Sequence, residues 1–168
     1  EVPFLPSFIN LKKILYTTNS VILCYKNALI FIKGKKMTFS DILTFEITDI
    51  LEHLEHNGFA AFLVGGCVRD AILKRECHDI DIATNASTSE MLEIFKEYET
   101  MTCGIGFGTV NVRGKSGNIF DITSFRQEGE YLDGRHPSYI TFSGDIHTDL
   151  ARRDFTVNSM AVNMHSEI

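Results

Sequence analysis

The sequence predicts an α+β domain, a small mixed β-sheet with helices packed on it. Three observations favour this class: an amphipathic helix pattern at residues 38–56, a strand–turn–helix–strand pattern at 59–84, and two strand patterns around a hairpin turn at 109–125. The 168 residues suffice for one ordinary domain with a buried core, and 44% hydrophobic with 23% charged residues is typical of a globular protein.

The charge balance limits what the chain can bind. A formal net charge of −6 disfavours nonspecific binding of a polyanion by the chain as a whole. Basic residues gather locally, at residues 33–36 and at Arg152 and Arg153, and a phosphate group needs only such a patch. If the protein handles RNA, we expect much of its basic surface to lie in regions beyond this chain, which would then be incomplete.

The cysteines and the apolar stretches give no sign of an extracellular or membrane protein. Cys24, Cys67, Cys77 and Cys103 contain no C-x-x-C pair, which disfavours a zinc site and disfavours a disulfide framework still more. Reduced, scattered cysteines fit a cytoplasmic protein. No cleavable signal peptide is evident, and polar residues interrupt the stretch 14–32 too often for a membrane span.

The first 36 residues carry no pattern to which we assign a function. Met37 comes directly before the first predicted helix, so we hypothesise that residues 1–36 are an extension and that the domain comprises residues 37–168. N-terminal sequencing of the native protein would test this boundary.

The first predicted helix covers residues 38–56. Thr38 and Asp41 are placed like a capping box, and Gly58 is placed like a helix C-cap. Because the apolar residues recur at intervals of three and four, we expect this helix to cover one face of the sheet. These residues are Leu43, Ile47, Ile50, Leu51 and Leu54.

A glycine pair lies where the first predicted strand, 59–64, meets the next predicted helix, 67–74. Gly65 and Gly66 would make a turn without side chains, which leaves backbone N–H groups to face an anion at the N-terminus of the helix. Arg69 would add a planar charged group from the first turn, with Asp70 orienting it or capping the turn. This pattern predicts a phosphate site.

Two aspartates alternate with isoleucines in the next predicted strand, 79–83. Asp79 and Asp81 would therefore point to one face while the isoleucines point into the core. Two carboxylates held this close repel each other unless a cation lies between them. Oxygen ligands suit Mg²⁺, which shares its remaining positions with water and substrate phosphates. A solvated strand is the ordinary alternative for such a pair alone, but its spacing from the glycine pair favours the metal site.

The second half of the chain predicts a helix, a hairpin and a long loop. Residues 87–90 form a capping box at the start of a helix, and residues 104–108 resemble a dinucleotide fingerprint but lack the helix that should follow. Two strands at 109–113 and 119–125 flank a turn. Residues 127–144 are predicted to be a loop that is functional or mobile.

Three segments together resemble one family, the class II tRNA nucleotidyltransferases (CCA-adding enzymes) with the related bacterial poly(A) polymerases. The first contains Gly65, Gly66, Arg69, Asp70, Asp79 and Asp81; the second is YLDGRHP at 131–137; the third is DLARRDFTVNS at 149–159. The resemblance covers residues 62–162 and implies a nucleotidyltransferase head domain with the polymerase β-like fold, in which the first segment binds the triphosphate and the catalytic metals.

The resemblance also implies roles for residues outside the glycine and aspartate pairs. Asp121 is a candidate third acid, although an aspartate capping the edge of a strand is equally compatible with its position. Asp133 and Arg135 would help to position the substrate. Arg153 would contact phosphate and Asp154 or Asn158 the sugar. Asp149, which opens this last segment, is placed like a turn residue or helix cap. The ordinary alternative for the segment is a surface ion pair of Arg152 with Asp149 or Asp154, worth about 0.2–1 kcal/mol.

The implied reaction is attack of an RNA 3′ hydroxyl on the α-phosphorus of CTP or ATP, with release of pyrophosphate. Mg²⁺ would be the cofactor, with two metals held by Asp79 and Asp81. The 3′ end of tRNA would be the acceptor, held mostly by regions beyond residue 168, where the family also carries its base-reading motif. Two alternatives remain at this point: a poly(A) polymerase of the same family, and a nucleotide-binding fragment without turnover.

Overall fold

A six-stranded mixed sheet forms the centre of the domain. The computed structural model describes residues 44–73, 75–77, 79–129, 139–153, 155 and 158–164. The elements in chain order are α1 (Phe45–His56), β1 (Ala61–Val64), α2 (Gly66–Ile72), β2 (Ile80–Thr84), α3 (Thr88–Ile94), β3 (Glu99–Met101), a 3₁₀ turn (Ile105–Phe107), β4 (Thr109–Arg113), β5 (Ile119–Ser124), β6 (Arg126–Glu128), β7 (Ile140–Phe142), α4 (Ile146–Ala151) and β8 (Ala161–Val162).

The strand order is β3-β4-β5-β2-β1-β8, with β6 and β7 forming a separate two-stranded sheet. Strands β2 and β5 run parallel, whereas the other neighbours in the large sheet are antiparallel. The predicted α+β class with a mixed sheet is confirmed. The parallel pair brings together two strands that are far apart in sequence, because α3, β3, the 3₁₀ turn and β4 lie between β2 and β5.

Side chains alternate between two cores on opposite faces of the sheet. On one face, Leu63 and Ile82 pack with the buried residues of α1, α2 and α3. On the other, Val64 and Ala83 pack with Phe125 and with two residues of α4, Ile146 and Leu150. Because Asp81 alternates with Ile82, it lies on the face that α4 covers.

Helix α1 begins later than the sequence predicts. Its N-cap is Thr44, whose hydroxyl accepts a hydrogen bond from Ile47 N, whereas Thr38 and Asp41 lie outside the described residues. The predicted C-terminus is confirmed: Gly58 has φ 85° and follows the C-cap, and Phe59 N donates to Leu54 O in the pattern of a Schellman motif. Of the predicted apolar face, Ile47, Ile50, Leu51 and Leu54 are buried in the core as expected, and Leu43 lies outside the described residues.

Local patterns predicted several elements correctly. Ser87 and Glu90 form both bonds of the capping box at α3, and β4 and β5 flank the predicted hairpin turn. The loop prediction for 127–144 is wrong at both ends, because β6 and β7 pair across residues 126–128 and 140–142. Strands β3 and β8 were not predicted, since two or three residues carry too little periodicity.

The expectation of reduced, unpaired cysteines is wrong for one pair. Cys67 in α2 and Cys77 ahead of β2 form a disulfide that closes the segment between the two elements, while Cys103 is an exposed thiol. The sequence analysis missed this pair because it looked for C-x-x-C spacing, whereas Cys67 and Cys77 are ten positions apart. Among the described helices, none has the length and apolar character to cross a membrane.

Candidate active site

Strands β2 and β5 place two aspartates side by side. Asp81 and Asp121 are directly opposite partners in the parallel pair, and both are half-buried. Asp79 is exposed at the residue before β2, while Ile80 and Ile82 are buried in the core as the alternation predicts. The polar face therefore carries the two predicted metal ligands of β2 with Asp121 as their neighbour.

Helix α4 brings two arginines to the same side of the sheet. Asp149 is 0% exposed, and it pairs with Arg152 Nε at 2.9 Å and with Arg153 Nη2 at 3.3 Å. The prediction of Asp149 as a turn residue or cap is wrong, since Asp145 is the N-cap of α4. The predicted ion-pair alternative holds for Arg152, but the pair is buried rather than on the surface.

Gly65 makes the turn between β1 and α2 and lies beside Asp81 and Arg153. Its φ of 76° lies in the region that favours glycine. A Cβ built on Gly65 would lie 2.9 Å from Arg153 Nη1 and 3.4 Å from Asp81 Oδ2. The turn, β2 and the end of α4 therefore meet at one point, with room there only for a residue that has no side chain.

The glycine turn differs in one respect from the prediction of open backbone donors. Gly65 N donates to Met160 O at 3.1 Å, so this amide is committed within the protein. The first bond within α2 runs from Arg69 N to Gly65 O, and the amides of Gly66, Cys67 and Val68 precede it. Gly65 thus acts by leaving space, and the donors for an anion must come from the residues after it.

Arg69 links α2 to the segment after α4. Its Nε and Nη2 donate to the two carboxylate oxygens of Asp70 at 2.9 and 2.7 Å, and its Nη1 donates to Asn158 Oδ1 at 2.8 Å. These hydrogen bonds lower the pKa of Asp70. The predicted orienting role of Asp70 is confirmed, and the Asn158 side-chain oxygen is committed to Arg69.

Burial raises the pKa of Asp81 above its ordinary value, the nearby Arg153 charge opposes this, and the Asp121 and Asp79 charges add to it. Arg153 Nε is buried without a hydrogen-bond partner. The buried Arg153 Nε–H could donate to an anion, and the desolvated Asp81 carboxylate on the same face could bind a cation.

The donor set fits a magnesium ion that is shared with a substrate. Carboxylate oxygens are hard ligands, and Mg²⁺ is commonly held by one or two carboxylates, with water and phosphate oxygens completing its shell. Within the described part of the chain, no three His, Cys, Asp or Glu side chains converge into a complete metal cluster. Asp79 and Asp81 contribute carboxylate oxygens, which are the donors that such a shared site uses.

Three of the predicted site residues, Asp133, Arg135 and Asp154, lie outside the described residues. The sequence analysis gave Asp149 only as an alternative ion-pair partner of Arg152 and missed its second pair with Arg153, although its spacing of three and four residues from the two arginines is that of neighbours on a helix.

Known proteins match both the sequence and the fold. A family model described as the poly A polymerase head domain matches residues 61–168. Proteins named CCA-adding enzyme from Lactobacillus delbrueckii subsp. bulgaricus and Oceanobacillus iheyensis are 47% and 44% identical to this chain over 119 residues, which are 71% of this chain and 29% of each relative. The chain thus spans less than a third of the length of these curated relatives.

The fold also matches a solved structure. The crystal structure of the Bacillus stearothermophilus CCA-adding enzyme in complex with CTP is similar with a TM-score of 0.63 and 34% sequence identity, over 73% of this chain and 28% of that one. The central sheet and its helices are thus arranged as in an enzyme whose structure contains a bound nucleotide.

Proposed function

Because the chain belongs to the poly A polymerase head domain family, we propose that it is the catalytic head of a template-independent RNA nucleotidyltransferase. The reaction transfers CMP and AMP from CTP and ATP to the 3′ end of tRNA. Two observations support the tRNA acceptor and the two nucleotides: the curated relatives are named CCA-adding enzymes, and the similar solved structure holds CTP.

One observation supports the catalytic part of this proposal above the others. The Gly65 turn, the Asp81 carboxylate and the Arg153 guanidinium occupy one small volume, within 2.9 and 3.4 Å of where a Cβ of Gly65 would be. A triphosphate carries several negative charges and needs both a cation and basic side chains around it. These three groups supply the space, the anchor for a cation and a positive charge.

The residues divide the work as follows. Asp79 and Asp81 would hold Mg²⁺, which when bound supplies Lewis-acid activation of phosphate oxygens. Arg69, fixed by Asp70 and Asn158, and Arg153, fixed by Asp149, would bind the triphosphate oxygens. Asp121 would orient the attacking 3′ hydroxyl beside Asp81. Positioning and charge stabilisation then account for most of the catalysis, because the protein forms no covalent intermediate.

The polynucleotide is held mainly by other regions of the protein. The net charge of −6 gives this chain little general affinity for RNA, and the curated relatives are more than three times as long as the matched segment. We therefore expect this domain to bind the nucleotide and the last residues of the acceptor, in the cytoplasm. In a reducing cytoplasm the Cys67–Cys77 disulfide would be reduced to two thiols.

The test uses the full-length protein and tRNA that lacks its terminal CCA. Incubation with one labelled nucleotide at a time should give addition of CMP from CTP and then of AMP from ATP. Asp81→Ala should reduce transfer by at least about a thousandfold, a loss of roughly 4 kcal/mol of transition-state stabilisation, while the circular dichroism spectrum stays unchanged. Near-normal transfer by this variant would refute the metal assignment.

The same assay separates the two other functions. Addition of AMP alone, in long runs, would identify a poly(A) polymerase, which the name of the matched family model also favours. Metal-dependent binding of CTP without transfer by the full-length protein would identify a nucleotide-binding module.

A further inference from the structure

Asn111 lies beside the aspartate pair in a third strand. It is directly opposite Asp121 in the β4–β5 pair, and Asp121 is directly opposite Asp81 in the β5–β2 pair. Asn111 Nδ2 donates to Asp121 Oδ1 at 2.5 Å, and both side chains are half-buried. Three side chains on one face of the sheet thus form a row, with the asparagine at the end away from the glycine turn.

We propose that Asn111 is a positioning residue for nucleotidyl transfer, acting through Asp121. This inference rests on the proposed function. An amide donates hydrogen bonds but carries no charge, so it fixes the rotation of the carboxylate without neutralising it. With Asp121 Oδ1 held by Asn111, Asp121 Oδ2 would bind a cation or orient the 3′ hydroxyl beside Asp81.

The charges nearby are consistent with this role. Arg113, two residues further along β4, pairs with Glu99 on β3 at 3.0 Å rather than with Asp121. Strand β4 therefore provides Asp121 with a neutral hydrogen-bond donor, Asn111, while its positively charged Arg113 pairs with Glu99 of β3. Residues that hydrogen-bond to metal ligands commonly orient those ligands in this way. Mutation of such a residue typically reduces metal affinity or activity by about 10–100-fold.

A matched control lies two residues away on the same strands. Thr109 and Thr123 are the next opposite pair on this face, and their hydroxyl oxygens are 2.9 Å apart. Thr109→Ala and Asn111→Ala each remove one cross-strand side-chain bond between β4 and β5. If the Asn111–Asp121 bond were only structural, the two variants would lose similar stability and nothing more.

The experiment compares the two variants in the full-length protein. Binding of Mn²⁺ is measured by electron paramagnetic resonance without nucleotide, and kcat and KM for CTP are measured with tRNA lacking CCA. Asn111→Ala should weaken Mn²⁺ binding or lower kcat by about 10–100-fold, with KM for CTP within about twofold of the wild type. Thr109→Ala should match the wild type in all three. Asn111→Val, which keeps a strand-favouring side chain, repeats the test if the alanine variant fails to fold.

The outcomes separate this inference from the proposed function. Equal Mn²⁺ binding and equal kcat for the Asn111 and Thr109 variants would overturn the positioning role. So would wild-type behaviour of Asp121→Asn, because Asn111 is proposed to act through that carboxylate. Neither result would contradict the proposed function, because transfer of CMP and AMP by the wild type is measured separately. If the wild type transferred nothing but its Mn²⁺ binding depended on Asn111, the proposed reaction would be wrong, and the role of Asn111 in holding Asp121 for metal binding would stand.

Discussion

Gly65 is the residue at which backbone conformation and site geometry impose the same requirement. Its backbone conformation, φ 76° and ψ −137°, costs an ordinary residue about 1–3 kcal/mol, and an added Cβ would come within 2.9 Å of Arg153 Nη1. Gly65→Ala should therefore lower the free energy of unfolding by about 2 kcal/mol and weaken CTP binding by displacing Arg153. Urea unfolding and calorimetric titration measure the two effects.

Gly106→Ala is the control for this prediction. Gly106 lies on the exposed 3₁₀ turn, a Cβ there would meet no atom within 4 Å, and its φ is not in the left-handed region. Its substitution should change stability by less than about 0.5 kcal/mol. Equal losses in both variants would mean that the effect belongs to glycine in general and not to the contacts of Gly65.

Asp81 shows that a site residue can reduce the stability of the fold. Burial raises its pKa, so at neutral pH the folded protein holds a carboxylate that is more costly to ionise than in the unfolded chain. Asp81→Asn should melt at or above the wild-type temperature at pH 7 in EDTA. This advantage should shrink as pH falls toward about 4, because wild-type Asp81 then binds the proton that its folded environment favours.

The sign of this pH dependence is the test. A variant that is less stable than the wild type at pH 7 in EDTA would mean that attraction to Arg153 outweighs the cost of burial. Calorimetric melting of both proteins from pH 4 to pH 7 distinguishes the two cases.

At the scale of elements, α4 positions the basic groups of the site. Asp149 is fully buried and pairs with Arg152 and Arg153, so removing its charge leaves two arginines without their anchor. Asp149→Asn should lower the free energy of unfolding by about 3 kcal/mol, the lower end of the range for breaking a buried pair, because the arginines retain some exposure. Binding of CTP should weaken as well, since Arg153 loses its orientation.

An exposed ion pair is the control for Asp149. It joins Glu93 in α3 to Lys96 in the turn that follows the helix. It has a similar nitrogen–oxygen distance, 2.9 Å, but both side chains are more than half exposed. Glu93→Gln should cost less than about 1 kcal/mol and leave CTP binding unchanged. If chemical denaturation gave the same loss for both variants, burial of Asp149 would not be the cause.

The same elements explain how far the sequence could predict the structure. The capping box of α3, the β4–β5 hairpin and the face of α1 depend on residues close in sequence, and their patterns predicted them. The β2–β5 pairing that aligns Asp81 with Asp121 joins strands about 40 positions apart, so no local pattern contains it. The pair of Asp149 with Arg152 was predicted only as an alternative, and its pair with Arg153 was missed, because Asp149 was interpreted as a turn residue or helix cap rather than as a residue within a helix.

Across the whole molecule, the two faces of the sheet have different roles. The larger core packs α1, α2 and α3 against one face, whereas the smaller core holds α4 on the face that carries Asp81. The glycine turn, the aspartates and the arginines come from separate elements that meet only because this second core fixes α4 over the sheet. Site geometry should therefore depend on the smaller core more than on the larger one.

Two phenylalanines, one in each core, test this division. Phe120 is fully buried against the helices of the larger core, and Phe125 is buried with Ile146 and Leu150 of α4. Phe120→Leu and Phe125→Leu should each lower the free energy of unfolding by about 1 kcal/mol, because both keep an apolar side chain of reduced size. Only Phe125→Leu should weaken CTP binding and speed amide hydrogen exchange in α4, since only its core holds the helix that carries Arg152 and Arg153. Equal weakening of CTP binding by both variants would mean that the site follows global stability and that the two cores are not separate in function.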